Sequence, residues 1–360
     1  MIDHTLFKNI RTAVSAYSAE AYTNAKKLSG TGIISTDTSV DPNAEGFIGQ
    51  LRWDKPLNAV INVLSATNAA NGTVTDIVTA LATYIKTARS SGAQQVNISK
   101  LISGRDGLQK MGNDFVEIRT TDEHNAILSV LRGVAAAEVA MGTGITSFDS
   151  DGTTGMFVDV NGAGLFGAAA TGAGDARRLF DNTQAGAARG QRLFRAIGAA
   201  WKDYEPDFAY MVTSPETLAE MRAANLVDQV KITDGQLTFE TILGGKFRLL
   251  VTRANQGNLS AHANVNDQST KTTLIVKPGA ISFTAIGMPD PVGIERREAS
   301  YNGGGDTAMW FRWGYIAHPW GYDYVGAATG FATDAMLAAG ASWARKVDPL
   351  NSAVLPILHA

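Results

Sequence analysis

The sequence predicts an α+β fold, in which one long helix and a later set of separate strands pack together. Three observations lead there. Between Gly107 and Val139, residues Leu108, Met111, Phe115, Ile118, Ile127, Leu128, Leu131 and Val134 form an apolar stripe at helical spacing. A helix of about 30 residues would span about 45 Å, far beyond the usual length. Strand-like runs then collect in the second half, and no regular succession of βα units accompanies them. With 360 residues the chain has room for two to three compact units at about 150 residues each.

Taken in order, Leu6, Ile10, Val14, Tyr17 and Ala21 recur three or four apart and predict an amphipathic helix from Leu6 to Leu28, closed by Gly30. Thr31 to Gly49 is turn chemistry around Asp41-Pro42, and Gln50 to Val63 alternates like extended chain. Asp76 to Ala88 is ambiguous: Ile77, Leu81, Tyr84 and Ala88 fit a helix, while the Thr and Val content fits a strand. After the long helix comes a Gly-rich segment from Gly142 to Gly174, then a helix over Arg189 to Trp201. Phe208 to Thr213 reads as a buried strand. Ser214-Pro215-Glu216 places a cap before a first-turn proline and opens a helix to about Ala224. Thr238 to Thr252 reads as a hairpin turning at Gly244-Gly245, and Thr272 to Phe283 supplies further strand. Phe311, Trp313 and Tyr315 alternate with Arg312, Gly314 and Ile316, predicting a strand that His318-Pro319 ends or bulges.

Composition narrows the function classes. Hydrophobic residues make up 45% and charged residues only 18%, so much of the surface is neutral and suited to association. Lys plus Arg is 31 against 34 Asp plus Glu; that balance lacks the basic excess of a dedicated nucleic-acid reader. The absence of cysteine excludes disulfides, thiol catalysis and Cys-ligated metals. Asp3, Lys8 and Arg11 interrupt what would have to be the apolar core of a signal peptide, and no long apolar run predicts a membrane span.

Gly162, Gly164 and Gly167 form a G-x-G-x-x-G after the strand-like Met156 to Val160, with Asp181 downstream. A Rossmann oxidoreductase would use them on a nucleotide pyrophosphate, but Gly172 and Gly174 interrupt the helix that should follow. A flexible Gly/Ala loop is the better account. His4, His124, His262, His318 and His359 are scattered without ligand spacing, and Gly244-Gly245-Lys246 lacks the rest of a phosphate loop. Glu117, Asp122 and Glu123 could supply paired carboxylates, though acids on a helix face are usually solvated or paired across an interface. No catalytic, cofactor-binding or metal residue is assigned, and the expected protein is not an enzyme.

The order of segments resembles the major capsid proteins of tailed bacteriophages of the HK97 fold. The residues that carry the resemblance are Ala88 to Gly133, Asp207 to Leu226, Thr272 to Ala285, Phe311 to Val325 and Thr333 to Val347. The resemblance implies an N-terminal arm over 1–35, an extended β E-loop over 36–95, and a peripheral domain with a spine helix over 96–142. It implies an axial domain over 143–288, a peripheral return strand over 289–326 and a C-terminal segment over 327–360. It also favours extended chain over Asp76 to Ala88, and it marks Gly152 to Gly198 as a departure richer in Gly and Ala.

On this resemblance the expected function is a structural shell protein without cofactors. It would be synthesised in the bacterial host cytoplasm, assembling as hexamers and pentamers into an icosahedral head around double-stranded DNA held by non-specific contact. Partners would be further copies of the chain, a portal protein, and scaffolding and decoration proteins as candidates; no membrane is involved. An encapsulin-like nanocompartment shell is the alternative within the same fold. In the E-loop, Phe47, Leu51, Trp53 and Leu57 are expected to find apolar cover on a neighbouring subunit, and in the spine helix Phe115, Ile118, Leu128 and Leu131 are expected to be core. Lys55 and Lys86 have no identified cross-linking partner, so noncovalent shells are expected.

Overall fold

The computed structural model describes residues 32–35, 40–42, 45–54, 79–96, 107–141, 156–159, 191–202, 205–223, 225–231, 238–242, 245–251, 271–300, 304–327 and 329–359. The expected helix of Leu6 to Leu28 and the glycines Gly162, Gly164 and Gly167 lie outside them. Ile34–Ser35 (β1) comes first, followed by Ile48–Asp54 (β2), Thr79–Ile85 (β3) and Thr87–Val96 (β4). Helix Gly107–Ala140 (α1) precedes Val158–Asp159 (β5), Gln191–Trp201 (α2), Ala209–Thr213 (β6) and Pro215–Ala223 (α3). Then come Asp228–Lys231 (β7), Thr238–Ile242 (β8), Phe247–Val251 (β9), Lys271–Val276 (β10), Ile281–Ile286 (β11) and Val292–Arg297 (β12). The chain continues with Asp306–Pro319 (β13), Tyr322–Tyr324 (β14), Asp334–Ala338 (α4), Trp343–Arg345 (β15) and Val354–His359 (β16).

β13 organises the first, five-stranded sheet. From Asp306 to Tyr315 it pairs antiparallel with β4, while on its other edge β12 takes Asp306 to Phe311 and β11 takes Gly314 to Pro319. β1 extends this sheet by pairing parallel with β11. The strand ends at Pro319, which has no N–H to continue the ladder. Met309, Phe311, Trp313, Tyr315 and Ala317, every second residue, enter the core shared with α1.

The second sheet runs β5-β16-β10-β6-β9-β8-β7 and is mostly antiparallel, with parallel pairs only at β6 with β9 and β5 with β16. Its central strands are apolar without alternation because both faces are covered. Tyr210, Val212, Leu274 and Val276 face the α1 core, while Ala209, Met211 and Ile275 face α2 and α3. A doubly wound nucleotide-binding sheet would be parallel, so the runner-up oxidoreductase reading loses its scaffold here.

Local signals account for several boundaries. Ser214 Oγ accepts the Thr217 N–H at 3.2 Å, capping α3 where the Ser-Pro-Glu signal places it. The hairpin of β8 and β9 forms as read. Asp76 to Ala88 resolves as extended chain from Thr79 onward. Thr272 to Phe283, read as further strand, supplies two, divided at Pro278-Gly279: Gly279 has φ 70°, and the chain leaves the second sheet and enters the first. The change of sheet therefore lies before β11. The C-terminal β16 pairs along all of β10.

The segment from α4 to Ser342 straps across α1. Trp343 Nε1 donates to the Leu337 carbonyl at 2.7 Å directly over Gly133; a Cβ there would lie 2.1 Å from that oxygen and 2.4 Å from the indole nitrogen. Backbone atoms cannot yield as a flexible side chain can. Gly133→Ala is expected to destabilise by about 1 to 3 kcal/mol through overpacking, measured by denaturant unfolding of the variant subunit; an unchanged midpoint would contradict the strap.

Candidate intersubunit surface

The hairpin of β2 and β3 joins neither large sheet, and its register runs from Ile48 opposite Ile85 to Asp54 opposite Thr79. Its root is fastened to the body by backbone chemistry. The Lys86 N–H donates to the Phe47 carbonyl at 2.9 Å, the Ala332 N–H to the Lys86 carbonyl at 2.9 Å, and the Thr83 N–H to Asp323 Oδ1 at 3.1 Å. Lys346 pairs with the same aspartate at 3.1 Å. Tyr84 lies across Gly49 on the facing strand, where a Cβ would come within 2.2 Å of its ring, and its hydroxyl donates to the Asp41 carbonyl at 2.8 Å. Burial, with the Asp41 charge second, raises the Tyr84 phenol above its ordinary value.

The expected contact residues divide. Leu51 is only 7% exposed and packs with Val40, Ala82, Tyr84 and Ile316 of its own chain, which corrects the expectation that a neighbour covers it. The hairpin lies against β13 closely enough for Ile316 to reach it. Phe47 is 40% exposed and meets Phe331, also exposed, edge to face with centroids 5.0 Å apart. Ile48 and Leu81 are exposed as well. Trp53 pairs by its backbone with Ala80; its side chain and Leu57 lie outside the described residues.

On α1, Phe115, Leu128 and Leu131 are buried in the main core, with Phe115 stacked on Phe311 at 5.6 Å. Ile118 is 43% exposed, a correction to its expected burial. Nine residues are two and a half helical turns, so Ile118 points away from the side on which Ile127 is buried.

Two polar clusters hold α1 in place, and sequence reasoning did not assign either. Asp122 Oδ2 accepts from Trp313 Nε1 at 2.9 Å and from the Tyr315 hydroxyl at 3.0 Å, while its Oδ1 meets Arg89 Nε at 3.4 Å. Arg89 also donates to Asp334 Oδ1 at 2.8 Å and to the Ala332 carbonyl at 2.7 Å, joining β4, α1 and the start of α4. Burial, and then the Asp122 charge, push the Tyr315 phenol far above its ordinary value, so it remains a donor. Glu123 pairs with Arg119 at 2.9 Å one turn earlier. Asp122 and Glu123 are thus used within the chain, not solvated, and only Glu117 of that trio is exposed.

The second cluster surrounds Glu138, which is fully buried. It accepts from the Met156 N–H at 2.6 Å and the Tyr322 hydroxyl at 2.7 Å, and it pairs with Arg345. Burial and then Glu138 raise the Tyr322 phenol well above its ordinary value. The legible signal was a single charge inside the apolar run Val134 to Ala140. These clusters join elements far apart in sequence and leave no open carboxylate pair; their chemistry is that of a fastened scaffold. Among the described residues no helix is long and apolar enough to cross a membrane.

No family model and no curated protein sequence matches the chain. Solved structures do. The chain is similar to phage capsid and head structures. One is the capsid of Ralstonia phage GP4, at 12% identity over 91% of this chain and 86% of that chain, with a TM-score of 0.48. Another is the head of Helicobacter pylori bacteriophage KHP40, at 9% identity over 90% of this chain and 85% of that chain, with a TM-score of 0.47. A structure from Mycobacterium phage Bobi is 12% identical over 92% of this chain and 91% of that chain, with a TM-score of 0.45.

Proposed function

We propose that the chain is the major capsid protein of a tailed bacteriophage with the HK97 fold, a structural protein that catalyses no reaction. The observation that carries the reading is the arrangement of elements. In chain order the 34-residue α1 follows the β2–β3 hairpin and β4 and precedes the strands of the second, mixed sheet and β13, which agrees with the segment order of the sequence resemblance. In this reading β2 and β3 are part of the E-loop, α1 is the spine, the first sheet belongs to the peripheral domain and the second sheet to the axial domain.

Copies of the chain then form hexamers and pentamers that close into an icosahedral head. The exposed Phe47, Ile48, Leu81 and Phe331 provide apolar area at the hairpin root suited to a neighbouring copy. Trp53 and Leu57 belong to the same loop and are proposed to serve that contact. The near-neutral balance of charge suits a wall that holds double-stranded DNA by non-specific contact without gripping it. A portal protein, and scaffolding or decoration proteins, would be further partners in the virion, with synthesis in the bacterial cytoplasm. Sedimentation of the purified protein tests the reading: most of the material is expected in particles far larger than the 38.1 kDa subunit. A single slow boundary under conditions that promote association would oppose it.

A further inference from the structure

The chain passes from the hairpin to the first sheet at one residue. β3 ends at Ile85 and pairs with β2, β4 starts at Thr87 and pairs with β13, and Lys86 belongs to neither strand. A lone residue between two separate ladders suits a hinge, because a change in its own backbone angles swings one sheet against the other. The angle is then set by what holds the chain on either side of it.

Four consecutive residues at the start of α4 take hold there. Phe331 packs edge to face on Phe47, whose carbonyl accepts the Lys86 N–H across the hairpin. Ala332 N–H donates to the Lys86 carbonyl at 2.9 Å, and the Ala332 carbonyl accepts from Arg89 Nη1 at 2.7 Å. Thr333 caps α4 by accepting the Met336 N–H at 3.3 Å, and Asp334 accepts from Arg89 Nη2 at 2.8 Å. Arg89 in turn reaches Asp122 on α1. Residues 331–334 thus span the hinge, touching the hairpin on one side of Lys86 and β4 on the other.

The remaining attachments of the hairpin constrain its angle less. Leu51, Ala82 and Tyr84 gather around Ile316 in a small apolar cluster, which is non-directional and serves as a pivot, and the Thr83 N–H donates to Asp323. The outer parts of the bridge are open to water: Phe47 and Phe331 are exposed, the Asp334 side chain is 46% exposed, and a Cβ on Gly330 would meet nothing within 4 Å. Contacts of this kind contribute little each, so the bridge opens locally while α1 stays folded.

We infer that residues 331–334 are a releasable clip that fixes the angle between the β2–β3 hairpin and the first sheet, with Lys86 as the hinge and Arg89 as the positioning residue. The inference rests on the reading of the chain as a shell subunit: copies in hexamers and pentamers meet at different angles, and the clip decides which angle the hairpin offers.

Hydrogen exchange on the free subunit tests the clip apart from assembly. Asp334→Lys sets a cation against Arg89 and is expected to speed exchange of the Ala332 and Thr83 amides, which bond hairpin to body, by at least about tenfold. The Lys86 amide, bonded inside the hairpin, and the Leu128 amide in α1 should stay protected, because the hairpin swings without melting. Asp334→Asn should act in the same direction by less, and Asp334→Glu should leave all four protected. Particles from Asp334→Lys are expected to vary in diameter where those of the wild type are uniform, read by negative-stain microscopy. Unchanged exchange at Thr83, an equal rise at Lys86 or Leu128, or uniform particles from a variant whose Thr83 amide exchanges faster would overturn the clip. Faster exchange at Thr83 with no particles from the wild-type chain would retain the clip and overturn the shell reading; uniform wild-type shells with unchanged exchange in the variant would do the reverse.

Discussion

Glu138→Ala is expected to destabilise the subunit by about 3 to 5 kcal/mol, the range for removing one partner of a buried ion pair. The carboxylate is fully buried and serves three donors from three places in the chain: the Met156 N–H, the Tyr322 hydroxyl and the Arg345 guanidinium. Truncation leaves all three without an acceptor and leaves a cation uncompensated beside the core. Glu138→Gln should also fail to restore stability, because the new amide N–H₂ would face a donor on one side or the other. Tyr322→Phe removes one hydrogen bond and is expected to cost less, about 1 to 2 kcal/mol. Denaturant unfolding of the three variants checks the ranking; a Glu138→Ala midpoint equal to that of the wild type would show that the cluster does not hold α1 to β14, β15 and the segment before β5.

Trp53→Ala is expected to leave a folded, soluble subunit and to reduce assembled particles sharply. The residue lies on a hairpin that belongs to neither large sheet, and Leu51 on the same strand is covered within the chain. An interface anchor truncated to alanine often loses about 2 kcal/mol or more, and in a shell that loss recurs at every equivalent contact. Particle yield by sedimentation, with circular dichroism of the subunit as a control for folding, separates the two effects. Normal yield would remove Trp53 from the contact, and an unfolded subunit would place it in the core.

The readable parts of this fold are those governed by local periodicity and local caps. The helical pattern read from Gly107 to Val139 ends one residue short of α1, and Ser214 marks the start of α3 because its hydroxyl caps that helix. Ile118 was misread because a spacing of three from Phe115 fits a stripe, yet three residues turn the helix only 300°, and nine place it opposite Ile127. The pairing of β4 with β13 joins residues more than 200 positions apart, and no local pattern encodes such a register. The same holds for Arg89, whose partners Asp122 and Asp334 come from α1 and α4. The departure of the chain from the second sheet at Pro278-Gly279 was visible as a turn, but not as a change of sheet. Leu51 was assigned to a neighbour because Ile316, which covers it, arrives from the far end of the sequence.

Negative-stain electron microscopy of the purified protein, under conditions that promote association, shows whether this chain closes into a shell. Hollow, angular particles of uniform diameter with a lattice of hexamers and pentamers are expected. A field of small, discrete oligomers with no closed shells, from protein shown to be folded, would contradict it.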